Sequence, residues 1–400
     1  MKRIYMDHAA TTPVAGEVLD AMKLYFSERF GNSSSLHSHG RDAAKALEDS
    51  RAAIAAFCGC AFEEVFFTSG GTESDNMALK GAAFANRKKG RHIITTKIEH
   101  HAVLHVCDWL EKQGFQVTRL PVDRHGLVEP AELEKAIKKN TIIASVMWAN
   151  NEIGTIEPVR EIGKICRERG VLFHTDAVQA FGKVPMSLEK SGIDMLSASA
   201  HKLYGPKGVG LLYIRKGVSI ESLLHGGGHE MGMRSGTENV AGIVGFARAC
   251  ELAGKNMETE NTREIRMRDA LRKGCLKIGE SWINGHPEKR LANNVNAGFK
   301  YIEGESLILH MDAKGVSAST GSACSSKSLE PSHVLTAIGL KPEEAHGSLR
   351  LTLGRDNTPE DVKYVLEILP GIVENLRKTS PFNKSNWKEA LSRKWDEHGH

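Results

Sequence analysis

The sequence predicts an α/β protein: a large domain with a mostly parallel seven-stranded sheet flanked by helices, plus a smaller α+β domain. Three observations predict this fold. Short β-rich runs alternate with longer helical patterns, the connections between the runs are long enough for helices, and the composition changes near residue 255. Strands joined by such helices form right-handed crossovers, which give a parallel sheet covered on both faces.

Seven runs rich in β-branched and aromatic residues are the predicted strands of the large sheet. They are residues 64–68, 92–95, 116–121, 142–148, 171–175, 195–198 and 210–214. Helical periodicity fills the segments between them. Examples are residues 41–58, 73–87, 102–113, 130–138 and 158–170.

A charged helical stretch at residues 258–279 begins the second domain. The elements after it are predicted at residues 293–299, 306–311 and 349–353, with a last helix that opens at residue 358. Thr358 is its predicted N-cap, followed by a proline in the first turn and an acid at the third position.

These patterns divide the chain into a large domain, a small domain and a tail. The predicted bounds are 15–255 for the large domain, 1–14 with 256–380 for the small domain, and 381–400 for the tail. Trp387, Leu391 and Trp395 form an amphipathic stripe in the tail, which we expect to dock on the protein's own surface. A partner-binding helix is the alternative.

Composition excludes several classes of protein. The 53 Lys and Arg residues nearly balance the 49 Asp and Glu residues, and no basic stripe interleaved with aromatics indicates nucleic-acid binding. No apolar run approaches the roughly 20 residues of a membrane span, and no signal-peptide pattern is seen. The seven cysteines have no disulfide-like spacing, so we expect a reducing compartment, most simply the cytoplasm.

Three motifs follow predicted strands of the large sheet. Residues 69–74 (SGGTES) open a helix with two glycines and the hydroxyls of Thr72 and Ser74, which suits a phosphate; the alternative is a glycine-rich turn capped by Thr72. Asp176 places a carboxylate where a strand ends, although aspartate also forms turns and caps. Lys202 lies between small residues and a Gly/Pro turn, although most lysines are simply solvated.

The three motifs together favour one cofactor. A phosphate site, a carboxylate and a lysine on successive loops of one α/β sheet fit pyridoxal 5′-phosphate. Lys202 would form the Schiff base, Asp176 would keep the pyridine nitrogen protonated, and residues 69–74 would hold the phosphate.

The chain resembles the cysteine desulfurases of the NifS/IscS type, which are class V aminotransferase relatives within fold type I of the pyridoxal-phosphate enzymes. The resemblance extends from residue 5 to residue 355. The motifs that carry it are TSGGTESDN, EHHAVL, NNEIGT, HTDAVQ, SASAHKLYGPKG, GGGHEMGMRSGTEN and STGSACSS.

The resemblance implies a role for individual residues at the cofactor. The implied cofactor-binding set is Gly71, Thr72, His100, Asn151, Asp176, Gln179, Ser199, His201, Lys202 and Thr237. Thr72, Ser199 and His201 would hold the phosphate, whereas Asn151 and Gln179 would lie near the phenolic oxygen. His100 would stack on the ring and assist proton transfer, and Lys202 would also remove the Cα proton. Thr237 would reach the phosphate in the neighbouring subunit, which implies a homodimer.

The resemblance also implies how the substrate is bound and converted. Arg350 would bind the substrate carboxylate, a bidentate task suited to a guanidinium, with Asn32 nearby. L-cysteine would become L-alanine through a ketimine of the cofactor, leaving a persulfide on Cys324. Such a persulfide would pass sulfur to an iron–sulfur scaffold protein.

Residues 317–332 around Cys324 are rich in serine and glycine, so they are expected to form a mobile functional loop. Lys327 is close enough in sequence to favour the thiolate. By contrast, Cys58, Cys107, Cys166 and Cys250 lie in apolar helical patterns and are predicted core thiols.

The sequence leaves alternative functions open. A selenocysteine lyase or a class V aminotransferase would use much the same cofactor site, and a sulfur carrier or scaffold would keep the fold without catalysis. We predict no metal site, because His101 and His105 lack a third ligand in register. Contact between Cys324 and an iron–sulfur cluster would be transient, with the cluster on a partner.

Overall fold

The computed structural model describes residues 3–321 and 331–380. Twelve strands lie within these ranges: β1 (Ile4–Tyr5), β2 (Val65–Thr68), β3 (His92–Thr96), β4 (Gln116–Leu120), β5 (Thr141–Ser145), β6 (Leu172–Asp176), β7 (Met195–Ser199), β8 (Gly210–Ile214), β9 (Ser281–Asn284), β10 (Asn294–Phe299), β11 (Val316–Ser317) and β12 (Ser348–Thr352). The same ranges contain twelve α-helices: α1 (Gly16–Ser27), α2 (Ser38–Cys58), α3 (Gly71–Asn86), α4 (His101–Lys112), α5 (Pro130–Ala136), α6 (Val159–Arg169), α7 (Leu188–Ser191), α8 (Val240–Cys275), α9 (Gly304–Ala313), α10 (His333–Ala337), α11 (Pro342–His346) and α12 (Pro359–Thr379).

The predicted seven-stranded sheet is confirmed, with strand order β2-β8-β7-β6-β5-β3-β4. Only β8 runs antiparallel to its neighbours, β2 and β7. Strands β5, β7 and β8 are buried along their whole length, as expected for strands covered by helices on both faces. This arrangement brings the carboxyl ends of the parallel strands to one edge of the sheet.

The predicted strand boundaries of the large sheet agree with the structure to within one residue, except at the end of the strand predicted at 142–148. The strand predicted at 142–148 leaves the sheet after Ser145, although Val146 and Trp148 still donate backbone hydrogen bonds to the residues of β6. The strand predicted at 64–68 begins at Val65, because residues 62–64 form a 3₁₀ turn in which the Glu64 carboxylate accepts from the Ala61 N–H.

Helix α8 runs without a break through position 255, where the sequence predicts a change of domain. Its first part, up to Ala253, packs in the core of the large sheet. Its last part, from Met267 to Cys275, packs in a second core with β10 and β12. The domain bounds stay a prediction, and a continuous helix connects the two cores.

The small sheet has the antiparallel order β12-β10-β9, and β1 pairs in parallel with β11. Asp7 makes an isolated bridge to Thr352 at the end of β12. The chain then leads from the small sheet to the carboxyl edge of the large one, where the Thr12 N–H bonds to the carbonyl of His201. Within the described residues, no helix combines the length and apolar character that a membrane span requires.

Candidate active site

The predicted phosphate site lies where β2 leads into α3. Gly70 precedes the helix with a φ of 153°, a conformation that favours glycine. A Cβ on Gly71 would lie 2.6 Å from Cγ2 of Val178 and 3.9 Å from Cβ of Ser199, so the start of α3 is packed against the loops after β6 and β7. Thr72 is exposed and does not cap the helix, and the first-turn N–H groups have no partner within the helix.

Asp176 is the last residue of β6 and is buried. Its Oδ1 accepts a hydrogen bond from the Val178 N–H at 2.9 Å. Burial raises the pKa of its carboxyl to about 6, against the opposing effects of the Val178 N–H and the Lys202 charge. A cationic ring nitrogen placed here would favour the carboxylate, since an opposite charge nearby stabilises the ionised form.

Lys202 ends a 3₁₀ turn directly after β7. Its Nζ donates to the carbonyl oxygens of Ala9 at 2.6 Å and Ala10 at 2.7 Å. The amide of Gln179 donates to the same Ala9 oxygen at 2.9 Å. Tyr204 follows with a φ of 64°, which agrees with the restricted backbone predicted around the lysine.

Two histidines next to the lysine are held uncharged. His100 caps α4, where its Nδ1 accepts from the Ala102 N–H at 3.1 Å, which leaves the hydrogen of the neutral ring on Nε2. Burial, together with the Lys202 charge, lowers the pKa of His100 to about 4. The same two causes lower the pKa of His201 to about 4, and its Nδ1 lies 3.1 Å from Oγ1 of Thr11.

Arg350 extends from β12 and is 2% exposed. Its Nη2 donates to Oδ1 of Asp7 at 2.7 Å. Its Nη1 donates to the carbonyl oxygens of Asn151 at 3.0 Å and Gly321 at 3.4 Å. Arg350, the predicted substrate-binding residue, thus contacts the main chain of Asn151, which is predicted to contact the cofactor.

Asn32 and Thr237 lie on two exposed loops. The Asn32 side chain accepts from the Ser34 N–H at 2.9 Å. Ser33 donates to the Glu238 carboxylate at 2.7 Å, which joins the two loops to each other. The predicted roles of Asn32 and Thr237 stay predictions.

Cys324 and Lys327 lie outside the described residues, as do the three tail residues Trp387, Leu391 and Trp395. The ends of the predicted 317–332 loop are more regular than its composition suggests. Ser317 belongs to β11, and Ser319 exchanges backbone hydrogen bonds with Arg350 in both directions. On the other side, Ser332 caps α10 and donates to the Glu152 carboxylate at 2.5 Å. Both ends of the segment are therefore anchored close to Arg350 and Glu152.

The predicted core thiols are confirmed as free and buried. They are Cys58, Cys107, Cys166 and Cys250, to which the structure adds Cys275. Burial raises the pKa of Cys107, Cys166 and Cys275 to about 12, so these thiols stay protonated and unreactive near neutral pH. Among the described residues, no group of three His, Cys, Asp or Glu side chains is placed to hold a metal ion.

Comparison with known proteins gives a consistent answer. Residues 4–365 match the family model described as aminotransferase class-V. The cysteine desulfurase IscS of Methanosarcina thermophila is 58% identical over 97% of this chain and 96% of its own length. That of Dictyoglomus turgidum is 55% identical over 97% and 99%.

The chain belongs to the cysteine desulfurases of the class V aminotransferase family. A solved NifS-like protein superposes with a TM-score of 0.88 at 41% identity, covering 94% of this chain and 100% of its own. A structure described as SspA in complex with cysteine gives 0.79 at 37% identity, covering 88% and 98%. Like other cysteine desulfurases, this chain is a pyridoxal-phosphate-dependent enzyme of fold type I.

The residues of this desulfurase fit the cofactor. Gly70 and Gly71 place no side chain over the first-turn N–H groups of α3, which suits an anion, and the buried Asp176 carboxylate needs a positive partner. Sequence reasoning missed Asp7, which bonds to Arg350, and His174, which is fully buried two residues before Asp176 on β6. The sequence signal for Asp7 was its place at the start of the DHAATTP segment, where the resemblance begins. The signal for His174 was a polar residue two positions before Asp176.

Proposed function

We propose that this desulfurase acts as a homodimer that converts L-cysteine to L-alanine and collects the sulfur as a persulfide on Cys324. One observation carries the proposal. Arg350, which would bind the substrate carboxylate, contacts Gly321 and pairs with Ser319, so the segment that contains Cys324 starts at the substrate-binding residue. A cysteine in that segment can therefore come within reach of a bound substrate.

The bound cofactor would supply an electron sink for the bonds at Cα and Cβ of the substrate. Lys202 would hold the cofactor covalently, and Asp176 would contact its ring nitrogen. Its phosphate would be surrounded by Ser199, His201, Thr72 and the start of α3. Gln179 and Asn151 would contact its phenolic oxygen.

Each remaining group has a defined task. Lys202, once released from the cofactor, moves the proton at Cα, and the neutral His100 lies beside it as a second proton carrier. Arg350, with Asn32 near it, orients the substrate through its carboxylate. The Cys324 thiolate attacks the substrate sulfur: the S–S bond forms, the Cβ–S bond breaks, and its electron pair returns to the carbon skeleton that becomes alanine.

The decisive experiment measures sulfide and alanine formed from L-cysteine and dithiothreitol by the wild type, Cys324→Ala and the control Cys60→Ala. We expect Cys324→Ala to form both products at least about 100-fold more slowly than the wild type, with unchanged cofactor absorbance. Cys60→Ala should match the wild type. If Cys324→Ala released sulfide as fast as the wild type, Cys324 would be excluded as the nucleophile. Transamination that survives in Cys324→Ala would instead favour the class V aminotransferase alternative.

The dimer proposal rests on the surface next to Thr237. Phe26, Phe30 and Leu36 lie near one another in sequence and are 64%, 63% and 92% exposed, and large exposed apolar side chains support an interaction surface here. The Ser33–Glu238 hydrogen bond places the segment that carries Leu36 against the Thr237 loop. A second copy bound here would bring its own Thr237 loop to the interface.

We also propose that the sulfur acceptor is an iron–sulfur scaffold protein and that the enzyme works in the cytoplasm. The names of the IscS relatives and the free, buried cysteines support these two assignments. Transfer of radiolabelled sulfur from the persulfide to a purified scaffold protein tests the first. Failure to transfer, with normal sulfide release to dithiothreitol, would point to a different acceptor.

A further inference from the structure

Arg350 is held by three oxygen atoms before any substrate is present. Two are main-chain carbonyls, of Asn151 and Gly321, and both accept from Nη1. The third is the Asp7 carboxylate, which accepts from Nη2 at 2.7 Å. The Nε of Arg350 is buried and has no hydrogen-bond partner among the described residues. Because a guanidinium offers five N–H donors in a rigid plane, the group is oriented and still has a donor for an incoming carboxylate.

Asp7 is itself fixed by the main chain. It bridges Thr352 at the end of β12, and its carbonyl accepts from the Tyr5 hydroxyl at 3.0 Å. Its side chain is 18% exposed, against 3% for Arg350. Two residues further on, Ala9 accepts from Lys202, so one short segment connects the substrate-binding arginine to the cofactor lysine.

The negative charge of Asp7 repels any carboxylate that binds to Arg350. Glu152 is a second acid near the guanidinium, and the Arg350 charge opposes the rise that burial causes in the pKa of Glu152. The buried ammonium of Lys183 also lies close enough for the Arg350 charge to contribute to the lowering of its pKa. Of these groups, only Asp7 forms an ion pair with Arg350 among the described residues. A substrate carboxylate would therefore bind a cation that is already partly neutralised.

We infer that Asp7 is a positioning residue with two effects on the reaction: it holds Arg350 in orientation, and its charge keeps carboxylate binding weak enough for alanine to leave. This inference rests on the proposed role of Arg350. The two effects can be separated, because asparagine keeps an acceptor oxygen and loses the charge, whereas alanine loses both.

The test titrates L-alanine into the holoenzyme, followed by cofactor absorbance, for Asp7→Asn, Asp7→Ala and Arg350→Gln. The control is Asp20→Asn, which removes an exposed acid paired with Lys23. We expect Asp7→Asn to bind L-alanine roughly tenfold more tightly, as for loss of a like charge a few ångströms away, with a matching fall in KM for L-cysteine. Asp7→Ala should bind roughly tenfold more weakly, and Asp20→Asn should match the wild type.

Unchanged or weaker binding by Asp7→Asn would overturn the inference. Unchanged binding by Arg350→Gln would instead contradict the proposed carboxylate site, so the two failures are distinguishable. Asp7→Asn keeps the size and the acceptor of the original side chain, so its result stands even if Asp7→Ala folds poorly, and a thermal unfolding curve of each variant identifies that case.

Discussion

His174 lies two residues before Asp176 on β6, and both of its ring nitrogens are near serine hydroxyls: Nδ1 is 2.8 Å from Ser145 and Nε2 is 3.0 Å from Ser197. It is fully buried, and burial lowers the pKa of the imidazole to about 3. The nearest carboxylate oxygen, on Asp75, is 3.6 Å away, and burial raises the pKa of that group well above its usual range. We therefore interpret this contact as two neutral groups rather than as an ion pair.

This histidine makes the stability depend on pH in a definite direction. Between its ordinary pKa of 6.5 and about 3, the unfolded chain binds a proton that the folded chain does not, so stability falls as the pH falls. His174→Gln should remove this contribution, making the slope of unfolding free energy shallower by up to about 1.4 kcal/mol per pH unit below pH 6. Urea unfolding between pH 7 and 5 measures it, with exposed His225→Gln as the control. An unchanged slope in His174→Gln would show that His174 binds its proton over the same pH range in the folded and the unfolded protein, which would contradict the lowered pKa.

Individual site residues differ in how far the sequence reveals them. Lys202 and Asp176 could be predicted because each follows a strand within a short local motif. The ion pair of Asp7 with Arg350 could not, because it joins residues 343 positions apart. Its formation depends on the register that brings Asp7 to Thr352, and no local pattern encodes that register.

Helices α6 and α12 contain glycines in opposite environments. A Cβ on Gly163 would collide with the main-chain oxygen of Ser191, the last residue of α7, whereas a Cβ on Gly371 would meet nothing within 4 Å. Gly163→Ala should therefore lower the unfolding free energy by at least about 1 kcal/mol. Gly371→Ala should raise it by about 0.5–1 kcal/mol, because alanine is the better helix former. Thermal unfolding compares the two, and a loss of stability in Gly371→Ala would contradict the open environment.

The longer helices and strands could be predicted from the spacing of their hydrophobic residues. Whether two neighbouring helical stretches form one continuous helix could not. The charged stretch after residue 255 is helical, as predicted, but it is the second half of α8 rather than a new element. The change in composition marks the passage of one helix from the first core to the second. Strands β1 and β11 have only two residues each, too few for a period-2 pattern, and they form because each pairs with the other.

For the molecule as a whole, the site is assembled from both cores. Lys202 and Asp176 come from the edge of the large sheet, and Arg350 comes from the small one. Arg355 reinforces the junction, since its guanidinium lies 4.3 Å from the Tyr204 ring centre and its Nε lies 2.6 Å from the Glu260 carboxylate. Small changes in how the two cores meet would therefore alter the distance between the cofactor and the substrate carboxylate.

The proposed dimer adds a third contribution, which mixed dimers can test. Lys202→Ala and Thr237→Ala homodimers should both be impaired at limiting cofactor, the first by loss of the covalent link and the second by loss of a phosphate contact. In a mixed dimer of the two, one site would carry both changes and the other neither, if Thr237 reaches across the interface. Activity should then recover to about half of the wild type, since one of two sites is intact.

If Thr237 acts within its own chain, each site of the mixed dimer would carry one change and no recovery would occur. Tagging each chain differently allows the mixed species to be purified and its sulfide release measured. A mixed dimer of Lys202→Ala with the control Ser380→Ala, at the far end of α12, should also give about half of the wild-type activity. Recovery of activity in both mixed dimers would show that Thr237 acts at the active site of the neighbouring subunit. Recovery in the control mixture alone would show that Thr237 acts at the active site of its own chain.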